Sequence, residues 1–140
     1  MSATGLEVFD RSLQETNIWL DEIMEDIGPD RQRAYHVLRA VLHTLRDRLT
    51  VEEAAHLSAQ LPLLVRGIYY EGWRPAAVPG RERTREEFLA KVAERMHGVR
   101  PTNPEDGARA VLSVLSRHVS EGEVAQVKSM LPRGVAALWP

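Results

Sequence analysis

Two stretches, "AQLPLLVRGIYYEGW" at residues 59–73 and "SMLPRGVAALWP" at residues 129–140, decide how this 140-residue chain is read. Each runs up to a Leu-Pro pair and continues into an apolar segment that carries aromatics. Proline disfavours a helical residue before it and is tolerated in the first turn of the helix that follows. Each Leu-Pro is therefore expected to be a corner between two short helices. The same corner recurs seventy residues on, from Leu61 to Leu131. Recurrence at a fixed period predicts a repeated unit.

Outward from these corners the periodicity is helical and no strand alternation interrupts it. Leu6, Phe9, Leu13, Thr16, Trp19 or Leu20, Ile23 and Ile27 form one apolar stripe, closed by Gly28-Pro29. Ala34, Val37, Leu38, Val41, Leu42, Leu45 and Leu49 form a second. Thr50 then opens a capping box with Glu53, whose carboxylate is expected to reach back to the Thr50 amide. A short helix with Ala54, Ala55, Leu57 and Leu61 leads to Pro62, and Leu64, Val65, Ile68 and Tyr69 make the next buried stripe. In the second half Thr84 and Glu87 form another box, and Phe88, Leu89, Val92 and Met96 mirror Trp19, Leu20, Ile23 and Ile27. Asn103-Pro104 is a helix start with Asn as cap and Pro in the first turn. The seventy-residue offset pairs Thr50 with Ser120, Glu53 with Glu123, Pro62 with Pro132, Val65 with Val135 and Tyr69 with Trp139. The fold expected is all-α: unit one at about 5–72, a Gly- and Pro-rich linker at about 73–83, and unit two at about 84–140. Units this small are marginal alone, so the two are expected to share one core as a single domain.

The runs "FDRSLQETNIWLDEI", "LRDRLTVEEAAHLSAQLPLLVRGIYYEGWRP" and "EEFLAKV" resemble the bacterial family catalogued as domain of unknown function 2267. The resemblance covers nearly the whole chain, although Gln60 is answered by Met130 in the second unit. It implies a compact all-helical bacterial protein and carries no activity, cofactor or catalytic residue.

The residues themselves offer little chemistry. With no cysteine there is no disulfide, thiolate metal site or cysteine nucleophile. No Gly-x-Ser-x-Gly elbow is present, and the nine glycines are scattered rather than clustered before a helix. His36, His43 and Asp47 fall at helical spacing, which permits metal ligation. No His-Glu-x-x-His motif completes them, so a solvated helix face is preferred and no metal or cofactor is expected. His118 is expected at a helix C-terminus, where the dipole favours a cation, while His56 and His97 show no evident partner. The chain reads as a non-enzyme. The N-terminus lacks a basic and apolar leader, no apolar run reaches membrane-spanning length, and a cytoplasmic protein is expected.

Net charge is −2. Arg74, Arg81, Arg83 and Arg85 cluster near Trp73, and the Arg74–Arg100 segment would be the nucleic-acid surface if there were one. Interspersed Glu82, Glu86 and Glu87 cancel most of that field, so nucleic acid is the lesser alternative. Trp73 is expected to fold down and anchor the linker, with Gly72 ending the helix. The competing reading makes Arg66, Tyr70, Trp73 and Arg74 a partner surface, since these residue types are enriched in hot spots. The function expected is protein interaction or self-association.

Overall fold

In the computed structural model, which describes residues 3–96 and 102–140, the chain is helical, with no strand among the described residues. Before the linker come α1 (Glu7–Ile27), α2 (Arg31–Asp47), α3 (Val51–Ser58) and α4 (Leu63–Tyr70). After it come α5 (Arg85–Arg95), α6 (Pro104–His118), α7 (Glu121–Ser129) and α8 (Arg133–Ala136). A single 3-10 turn, Pro75–Ala77, lies within the linker. None of these helices is long and apolar enough to cross a membrane. His97 and Arg100, the latter the end of the basic segment, lie outside the described residues.

Short polar side chains start most of the helices by accepting from amides that the helix leaves unpaired. Asp30 accepts from Arg33 N, Thr50 from Glu53 N, Thr84 from Glu87 N, and Ser120 from Glu123 N. Asn103 accepts from both Glu105 N and Asp106 N. The expected reciprocal half of the two capping boxes is not made. Glu87 instead accepts from the Thr84 hydroxyl at 3.2 Å, and Glu53 is buried against the second half of the chain.

Both Leu-Pro pairs are corners. Pro62 (φ −55°, ψ 150°) and Pro132 (φ −54°, ψ 147°) each occupy the cap position, one residue earlier than the first turn. Leu61, Val65 and Tyr69 are buried, as are Leu131, Val135 and Trp139. Ile68 is half-buried and Ala55 is exposed, so these two do not belong to the core stripes.

Helix α2 is the centre of the packing. It lies against α1, α4, α5 and α6, while α6 also meets α1, α5 and α7. One apolar cluster therefore joins both halves, including Trp19, Ile23, Leu38, Leu42, Phe88, Leu112 and Leu115. Gly107 allows the close approach of α2 and α6: a Cβ there would lie 3.0 Å from Val37 Cγ1. At the ends the stripes run out of partners. Leu6, Phe9 and Leu13 of the α1 stripe are exposed, and so is Leu64, contrary to the burial expected of them.

Candidate functional site

Helices α3 and α7 meet across a cleft of about 630 Å³ whose walls include Glu53, His56, Gln60, Ser120, Glu123 and Gln126. The caps at Thr50 and Ser120 place Glu53 and Glu123 each as the third residue of its helix. Both glutamates are buried, at 6% and 4% exposure. His56 lies one turn after Glu53, and its Nδ1 is 2.7 Å from Glu123 Oε1. One ligating atom from each of Glu53, His56 and Glu123 falls within 4.8 Å of the other two. Glu53 Oε1 and Glu123 Oε2 are buried with no hydrogen-bond partner. Burial and the neighbouring Glu53 carboxylate push the Glu123 carboxyl up, against the opposing hydrogen bond from His56. Gln60 ties the rim by donating to Ser120 Oγ (3.1 Å) and accepting from Ser120 N (2.7 Å).

Sequence reasoning missed this site. His56 has a partner after all, but that partner is 67 residues away. The available signal was the seventy-residue offset, which pairs Glu53 with Glu123 in the sequence. The capping-box motif instead assigned Glu53 a local role.

The trio taken from spacing alone does not assemble. His43 Nε2 donates to the Ile68 carbonyl at 2.7 Å, which fixes the Nε2–H tautomer. Asp47 accepts from Arg46 Nε (2.8 Å) and Arg95 (2.7 Å), and His36 packs edge-on against Tyr35. The expected solvated face is a correction: His43 is buried because α2 is covered on several sides at once. Burial, and then the nearby Arg46, Arg39 and Arg95, push the His43 imidazole below its ordinary value. His118 closes α6 as its last residue, stacks on Trp19 with ring centroids 5.4 Å apart, and lies 2.9 Å from Glu22.

Three of the four residues named as a partner surface turn into the bundle. Arg66 donates to the Ser58 and Leu61 carbonyls at 2.9 and 3.0 Å. The Tyr70 hydroxyl donates to Ser58 Oγ at 2.7 Å. Trp73 is half-buried against the core with its ring 5.2 Å from Tyr70, and Arg74 alone is exposed. Within the basic segment, Arg85 pairs with Glu105, Lys91 with Glu94 and Arg95 with Asp47.

A second, apolar groove of about 360 Å³ lies between α1 and α4, lined by Phe9, Ser12, Leu13, Leu63, Leu64 and Gly67. Phe9 is 47% exposed and Leu63 49%.

Fold and sites together define an all-helical protein with, among the described residues, an acidic interhelical cleft and an uncovered apolar groove. The chain belongs to the family described as uncharacterized conserved protein (DUF2267), whose model matches residues 16–138. Among curated proteins no match to the chain is found.

Proposed function

We propose that this chain is a non-enzymatic interaction module, built from two related units, that self-associates through the α1/α4 face. The observation carrying this reading is the exposure of Phe9, Leu13, Leu63 and Leu64 along one groove. Phe9 and Leu13, one turn apart on α1, form one wall of the groove and Leu63, Leu64 and Gly67 of α4 the other, a lining that suits an apolar helix face. A two-fold pairing with a second copy would bury this same apolar patch on both chains. A net charge of −2 opposes such pairing only weakly.

Sedimentation velocity over a concentration series tests this. The wild-type chain is expected to form dimers, and Phe9→Asp or Leu64→Glu to return it to a monomer that keeps its helical content and cooperative melt. The dimer is also expected to persist between 50 and 200 mM salt, a range over which binding to nucleic-acid phosphates weakens by ~10³–10⁵. A wild-type chain monomeric at every concentration would defeat the self-association reading.

A further inference from the structure

We propose that Glu53, His56 and Glu123 form a binding site for one divalent transition-metal ion, with zinc the best fit, clasping α3 to α7. Two buried carboxylates facing each other are costly unless a cation or proton compensates them. The one basic side chain within the cluster is His56, and it reaches only Glu123. The orphaned Oε1 of Glu53 and Oε2 of Glu123 mark where compensation is missing. Neither residue is a floppy surface acid. Each is held by its backbone amide to a cap side chain, so both carboxylates are placed by helix geometry rather than by a loop.

The donor set selects the ion. One imidazole nitrogen with two carboxylate oxygens suits zinc and its neighbours, with the remaining coordination position filled by water. Magnesium and calcium take oxygen donors and gain nothing from His56. Ligands ~2.0–2.2 Å from a tetrahedral zinc lie roughly 3.3–3.6 Å from one another. Here the three atoms span at most 4.8 Å and the His56–Glu123 pair is at 2.7 Å, so side-chain adjustments of about an ångström complete the geometry. His56 can make that adjustment, since its side chain is two-thirds exposed at the rim while Glu123 is almost fully enclosed. The cleft gives an ion access from solvent.

The test is zinc uptake by the full chain carrying no histidine tag, followed by equilibrium dialysis with elemental analysis and by thermal melts with and without the metal. Wild type is expected to hold one zinc per chain, to melt higher with zinc, and to show no such shift with magnesium or calcium. Glu53→Gln, Glu123→Gln and His56→Asn should each weaken uptake by more than the ~10- to 100-fold that loss of an outer-shell partner costs. His36→Asn should leave uptake unchanged. Without metal, Glu53→Gln should melt no lower than wild type, because it removes one of two facing carboxylates. Should it fail to fold, His56→Asn at the exposed rim decides alone. No zinc on the wild type, uptake unchanged in these variants, or uptake lost in His36→Asn would overturn the assignment.

Discussion

Arg46 is 3% exposed and closes the end of α4, donating to the Tyr69 and Glu71 carbonyls at 2.8 Å each while its Nε holds Asp47. Arg46→Met keeps the apolar stem but leaves two carbonyls without that donor. A loss of about 3 kcal/mol is expected in urea denaturation, the scale for breaking a buried charged network. His43 sits in the same neighbourhood and yields a pH prediction. Its folded pKa lies below the ~6.5 of the unfolded chain, so the unfolded state takes up the proton first. Its contribution is present in full above about pH 6.5 and is lost as pH falls through the folded value. The difference in stability between wild type and His43→Gln should therefore shrink from pH 7.5 to 5, because Gln keeps a donor for Ile68 and does not titrate. Neither residue's role was legible in the sequence. Both were on what a single-helix projection makes the polar side of α2, and only the other helices show that this side is covered.

At the scale of elements, helix starts were legible because a cap is chemistry within four residues: Thr50, Thr84, Asn103 and Ser120 all act as caps. The direction of the Glu53 side chain was not, because burial across the α3–α7 contact competes with the local box and wins. The α1 stripe was legible as periodicity, yet periodicity is silent on whether anything covers it. Gly67 offers a clean test in the uncovered part. A Cβ there meets nothing within 4 Å and the residue lies inside α4. Gly67→Ala is expected to stabilise the fold by about 0.5–1 kcal/mol through helix propensity alone. Gly67→Leu should keep the fold while filling the groove and blocking self-association, readable in one sedimentation series. Trp73 behaves differently from these surface positions. It packs on the core where α4 meets the linker, so Trp73→Ala is expected to cost about 2 kcal/mol, less than the ~3–5 of a fully enclosed tryptophan.

Across the whole molecule, the all-helical class was legible from periodicity, whereas the mutual placement of the two halves was only implied by the seventy-residue offset. The proposed pair of related units draws on contacts between residues seventy apart: Glu53 beside Glu123, and Val37 against Gly107. Exchange of the halves also turns the α1–α6 contact into the α5–α2 contact, and both are present. Two identical side chains cannot occupy the same point where counterparts meet, and here one of the pair is glycine. This makes α2–α6 the place to test the join. Gly107→Ala gains helix propensity of up to ~1 kcal/mol, but its Cβ would lie 3.0 Å from Val37 Cγ1. Val37 is fully buried and has nowhere to move, and overpacking typically costs ~1–3 kcal/mol. The strain should win, giving a net loss of about 1 kcal/mol. Val37→Ala alone opens a cavity and should cost about 2 kcal/mol. In the double variant the new methyl enters the space the old ones left. Its cost should therefore fall short of the sum of the single costs by about 1 kcal/mol, a coupling that a double-mutant cycle resolves. Strictly additive losses would mean that the halves do not meet at Val37 and Gly107, and the two-unit reading would lose one of the contacts it draws on.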